Sequence, residues 1–322
     1  AKDHGAAFVA LIVSVYVGCK GIAASLLSAS MLPYFKTHLR LSNYEYQVCL
    51  TVVMLPWALK SLLGLLADRV QLGGNGSQTY FLMAVLVGTA CATAMAALPN
   101  LETSGTYTIL GLAFGVSFQV ACTDLLSEGN YARKMAQKPD GATAVLSAVW
   151  WAMSIGSLAG VVIAGVCSGG HIRAAFAIVA VACAQCIVPW YSGSFALPPG
   201  TVARPRADID GLVLVCFTVS GAAVAASVAT VFASTTVQLA VSMLCLGAAL
   251  AVNFWKLPRT LACCNAYMFL ANVLNFNFSG AIDYWYTAPP HCVQGGPAFS
   301  VQYYIAVGGI VGAVFSMVGV EV

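Results

Sequence analysis

Apolar residues run along the chain in long blocks, parted by short polar stretches. Ten blocks stand out, at about 7–33, 44–66, 80–98, 106–126, 143–167, 173–195, 211–232, 235–254, 264–286 and 299–320. A helix needs about 20 apolar residues to cross the hydrocarbon core of a bilayer. The runs are too long for barrel strands, and lipid tolerates no open sheet edge. The pattern therefore predicts an all-α polytopic membrane protein. Composition agrees: 60% of the 322 residues are hydrophobic and 8% are charged, against roughly 25% charged in soluble chains.

Charge placement gives the expected orientation. With a cytoplasmic N-terminus, the inner segments hold Lys2, Arg69, Arg133, Lys134, Lys138, Arg204, Arg206, Lys256 and Arg259. The outer ones hold only Lys36, Arg40 and Arg173. This is a positive-inside bias. The net charge of +3 is too small to suggest nucleic acid as a partner. The first apolar run is too long for a cleavable signal.

One polar stretch organises the chain. Residues 197–210, LPPGTVARPRADID, follow the sixth block and read as a cytoplasmic linker. The expected domains are a six-helix bundle over 1–196, the linker 197–210, and a second bundle over 211–322. Six helices, a linker and more helices is the plan of a two-bundle transporter. About ten spans are visible of an expected twelve or more, so the second bundle reads as incomplete and further residues are expected beyond this sequence.

A charge near the bilayer centre costs at least about 2.5–3.5 kcal/mol on insertion scales, so each one needs a use. Lys20 falls mid-way along the first block and Lys60 about eight residues from the inner end of the second. Asp124 and Glu128 lie one turn apart on one face of the fourth. Asp283 falls near the outer end of the ninth. Snorkelling or structural ion pairing is the alternative use of each. Trp57 and Phe118 lie on spans near these charges and offer flat apolar faces; core packing or lipid contact is their alternative. Pro56 is expected to loosen the second span beside Lys60. Gly156-x-x-x-Gly160 and Gly308-x-x-x-Gly312 offer smooth faces for close helix contact. Cys183-x-x-Cys186 has no histidine near it, and no metal or cofactor is implied.

The motifs resemble those of a known family. Gly64-x-x-x-Asp68-Arg69 closes the second span and is similar to the loop signature of the major facilitator superfamily. Within that superfamily, Pro56-Trp57-x-x-Lys60 followed by Gly64-x-x-x-Asp68 resembles the folate–biopterin transporter family. So do Asp124-x-x-x-Glu128-Gly129 and a later block, Asn265-Ala-Tyr-Met-Phe-Leu, Ala281-Ile-Asp-Tyr-Trp-Tyr and Gly296-Pro297-Ala-Phe299-Ser300. The likeness runs from about 15 to 320 and looks closest to the protozoan (trypanosomatid) pteridine transporters. In many members the later block opens the second half, whereas here two spans precede it. The usual basic residues after Arg69 are also absent.

The resemblance implies a major-facilitator-type, alternating-access carrier of folate, biopterin or related pterins, coupled to protons; the plasma membrane is the expected site, with an organelle membrane the alternative. On that reading Lys20, Lys60, Asp124, Glu128, Trp57 and Phe118 bind substrate or couple it to protons, with Lys20–Asp124 the favoured pair. Gly64, Asp68 and Arg69 form a structural motif. A facilitator for a sugar, amino acid or nucleoside is an alternative, as is a non-transporting receptor or scaffold. The chain has no His-Glu-x-x-His, Gly-x-Ser-x-Gly or nucleotide-loop motif, which argues against an enzyme.

Overall fold

A computed structural model describes residues 5–70, 72, 76–98, 105–137, 139–195, 209–274 and 278–321. Most of the linker 197–210 lies outside the described residues, as do Lys2, Lys138, Arg204 and Arg206. Nine helices among the described residues are long and apolar enough to cross a membrane. They are α1 (Ala6–His38), α2 (Asn43–Arg69), α3 (Ser77–Ala97), α4 (Thr106–Gln137), α5 (Pro139–Cys167), α6 (Ile172–Tyr191), α7 (Gly211–Phe232), α8 (Thr235–Lys256) and, after two shorter helices, α11 (Val301–Gly319). The shorter pair are α9 (Arg259–Leu274) and α10 (Ser279–Tyr286).

The ninth expected block, 264–286, is thus not one straight span. It falls on α9 and α10, and Phe278, with ψ 20°, has already left helical geometry where α10 begins. Residues 275–277, including Asn275 and Asn277, lie outside the described residues. The sequence offers a cause. Asparagine is a poor helix-interior residue, because its side chain competes for nearby backbone groups, and this stretch is rich in it. The fourth expected span differs the other way. The polar tract after residue 126 continues as helix to Gln137, so Asp124 and Glu128 sit well inside α4.

Two helices depart from regular α geometry beside their lysines. In α1, residues Val13–Ala23 form a π-helix with Lys20 inside it. The Ala24 N–H closes this stretch by bonding back to the Cys19 carbonyl. Such five-residue turns are rare and concentrate at functional sites. In α2, the helix breaks at Leu59, between Asn43–Ala58 and Lys60–Arg69. Pro56 lacks an N–H and crowds the turn before it, which loosens the helix one turn ahead of the break. The other end of α2 is held by a capping box, Ser42 with Glu45.

Helices α1–α6 pack on one another around two apolar clusters. One cluster, with Tyr16, Phe81, Val120 and Phe195, lies toward the face where α1 starts and α6 ends. Ser194 there donates to the Ala7 carbonyl at 2.7 Å. The other, with Leu26, Tyr34, Phe35, Tyr46 and Phe176, lies toward the opposite face. A β-carbon on Gly156 would overlap the Val17 carbonyl, and one on Gly160 would lie 2.8 Å from the Ile22 carbonyl, so α1 and α5 meet backbone to backbone. The contact of α5 with α11 uses different glycines from those anticipated. Gly165 meets Ala306 and Gly309 meets Val161, whereas Gly308 and Gly312 face open space. The motif has the right spacing but lies on the wrong side of α11. Helices α7 and α8 form a hairpin, with α7 against α2.

Candidate functional site

Three helices bring their charges to one point. Lys20 of α1 donates to both carboxylate oxygens of Asp124 on α4, at 2.9 and 3.0 Å. Lys60 of α2 donates to Asp124 Oδ2 at 2.7 Å and to Glu128 Oε2 at 3.1 Å. Asp124 is therefore shared by two ammonium groups. Its side chain is 0% exposed, against 21% for Lys20, 20% for Lys60 and 40% for Glu128. Two cations and two anions balance, which is the condition for holding such charges in apolar surroundings.

Local structure sets this geometry. The four-residue spacing of Asp124 and Glu128 stacks both carboxylates on one side of α4. The break at Leu59 falls immediately before Lys60. Trp57, one turn before Lys60, places its ring centroid 5.1 Å from the Lys60 ammonium and 5.5 Å from that of Lys20. Tyr16 lies 5.6 Å from the Lys20 ammonium on its own helix. Aromatic faces attract cations at this range, so both ammonium groups rest against rings as well as carboxylates.

A cavity of about 380 Å³ adjoins the cluster between α1, α2, α4 and α5. Trp57, Met54, Ser25, Ser28 and Ser117 are among its lining residues. A second space of about 560 Å³ shares Ser28, Leu50 and Met54 with it and reaches Gln47, Ser227 and Ser279. The two spaces lead from Trp57 toward the face where α1 meets α2.

Helix α10 covers that face. The Gly280 N–H donates to Gln47 Oε1 at 3.2 Å, and the Tyr284 hydroxyl donates to the Leu41 carbonyl at 2.7 Å. Lys36 donates to the carbonyl and hydroxyl oxygens of Thr287, at 3.0 and 2.5 Å, and lies 4.7 Å from the Tyr284 ring centroid. Asp283 accepts from Tyr304 at 2.8 Å. Together these contacts tie α10 to the ends of α1 and α2 and, through Tyr304, to α11.

The remaining anticipated residues lie elsewhere. Phe118 packs against the apolar cluster of Phe81 and Val120 and does not line the cavity beside Trp57. Asp68 and Arg69 are exposed at the end of α2, about 12 Å along the helix from Lys60. A β-carbon on Gly64 would stand 3.6 Å from Leu125, an ordinary contact, so this glycine is not needed for close approach. Sequence reasoning missed Tyr16, although it lies one turn from Lys20. It also missed Ser117, which the spacing to Asp124 places on the same face of α4. Nothing in the sequence joins Lys36 to Tyr284 and Thr287, which are about 250 residues away.

A balanced ion cluster inside a bundle of apolar helices, beside a cavity, defines a multi-pass membrane protein of the transporter class. A family model described as the BT1 family matches residues 20–322, and the chain belongs to that family, the folate–biopterin transporters. The match includes all the cluster residues and the hairpin α7–α8. No curated protein matches the chain.

Proposed function

We propose that this protein is a secondary active carrier of folate, biopterin or related pteridines, of the major facilitator type and coupled to protons. Helices α1–α6 are the first bundle, residues 197–210 the linker, and 211–322 the second bundle. The N-terminus faces the cytoplasm, and the plasma membrane is the site of action. Family membership supports the transporter reading. The observation that carries the coupling reading is the sharing of Asp124 by Lys20 and Lys60.

A proton on Asp124 removes the counter-charge of both lysines at once. The ties of α1 and α2 to α4 then weaken together, while Glu128 still holds Lys60. The freed ammonium groups gain room to receive a carboxylate, such as that of a folate tail. Loss of the proton restores the cluster. Access alternates because α10 closes the face of the bundle where α1 meets α2, and its contacts with Gln47, Leu41 and Lys36 are the ones that break on opening. In this orientation that is the outer face.

The test is uptake of labelled folate and biopterin by cells expressing the full-length protein, with and without a pH gradient. Gradient-dependent uptake that is lost in Asp124→Asn, at equal surface expression, supports substrate and coupling together. Uptake indifferent to Asp124 overturns the coupling site. No uptake of either pteridine by a correctly placed protein overturns the substrate.

A further inference from the structure

The cavity beside Trp57 and the ion cluster are neighbouring but separate spaces. Neither Lys20, Lys60 nor Asp124 lines the cavity. Both lysines are turned to carboxylates, each giving two hydrogen bonds within the cluster. Trp57 belongs to both spaces, lining the cavity and lying over both ammonium groups.

The cavity wall is largely apolar, with hydroxyls from Ser25, Ser28 and Ser117. Binding sites for small molecules have this composition: apolar walls and a few placed polar groups that fix orientation. Ser25 is already engaged, donating to Ser157 at 2.9 Å. Ser117 differs. It is 4% exposed, and its hydroxyl has no hydrogen-bond partner among the described residues. A buried hydroxyl left unpaired is costly, and native structures nearly always give it a partner. The cavity is the side from which one can come. Ser117 lies seven residues before Asp124, about 10 Å away on the same face of α4. One face of one helix thus presents a vacant hydroxyl to the cavity and a shared carboxylate to the cluster.

We propose that Ser117 is the positioning residue for the transported ring: its hydroxyl pairs with the hydrogen-bonding edge of a flat heteroaromatic ring seated in the cavity beside Trp57. The cluster acts beneath the ring without touching it. This rests on the pteridine reading and deepens it, because a hydroxyl both donates and accepts and so suits a ring edge carrying N–H and C=O groups.

The experiment is equilibrium binding of biopterin to purified full-length protein in nanodiscs, across pH, for wild type, Ser117→Ala and Ser25→Ala. Thermal unfolding of each is measured alongside. Losing one neutral hydrogen bond corresponds to about fivefold in affinity. Ser117→Ala is expected to bind about fivefold more weakly with an unchanged pH profile. Its unfolding temperature is unchanged or higher, since an unpaired buried hydroxyl has been removed. A residue serving only the fold would lower it. Ser25→Ala is expected to bind within about twofold of wild type. Wild-type binding that Ser117→Ala leaves intact overturns this inference alone, as does a Ser117→Ala protein that loses the pH dependence. A wild type that binds no biopterin overturns the inference together with the pteridine reading.

Discussion

Replacing Asp124 by Asn changes the charge of the cluster with almost no change of shape. The carboxylate accepts three hydrogen bonds, at 2.9 and 3.0 Å from Lys20 and 2.7 Å from Lys60, from a side chain that is 0% exposed. An amide in its place keeps one acceptor oxygen and turns an N–H₂ toward an ammonium group. Lys20 is left without a carboxylate, while Lys60 keeps Glu128 at 3.1 Å. Breaking a buried pair by removing one partner costs about 3–5 kcal/mol, because an uncompensated charge stays inside. The expected fall in unfolding temperature is on the order of 5–15 °C. Adding Lys20→Met to Asp124→Asn restores balance, leaving Lys60 opposite Glu128. The double variant is therefore expected to recover most of the lost stability and to show a coupling energy of about 2 kcal/mol or more. Thermal unfolding in a mild detergent, run on all four members of the cycle, measures this. Strictly additive losses would refute the shared counter-ion reasoning.

Gly156→Val is expected to force α1 and α5 apart at Val17 and to destabilise the protein by about 1–3 kcal/mol. Gly308→Ala, whose β-carbon meets nothing among the described residues, serves as the control and is expected to be neutral or stabilising by up to about 1 kcal/mol in the same unfolding assay. Tyr284→Phe removes the bond to the Leu41 carbonyl, worth about 1 kcal/mol. It is expected to raise thiol labelling of a cysteine placed at Ser28 about fivefold, from the face that α10 covers. Unchanged labelling would mean that α10 does not control entry there.

The membrane class and nine of the spans were legible because a helix that crosses lipid must satisfy its backbone internally and present apolar side chains for about 20 residues. The block at 264–286 misled because its mean apolarity gives no sign that Phe278 leaves helical geometry. Lys20, Lys60, Asp124 and Glu128 stood out because intramembrane charge is expensive, and the structure places them together. That two lysines share one carboxylate was not legible. The π-helical stretch around Lys20 pairs N–H groups five residues back, so faces counted at 3.6 residues per turn drift through it. Phe118 was singled out for its proximity in sequence, but its position on α4 turns it into the apolar cluster. Ser117 was passed over because serines are common in membrane helices. Only its burial without a partner beside the cavity distinguishes it.

Proton movement triggered by substrate tests the coupling role of Asp124 most directly. The full-length protein is reconstituted in vesicles containing a pH-sensitive dye, with no gradient imposed, and biopterin is added outside. The wild type is expected to acidify the lumen as substrate enters, and Asp124→Asn is expected to bind biopterin without moving protons. Equal acidification by the two proteins would contradict the assignment of Asp124 as the group that carries the proton.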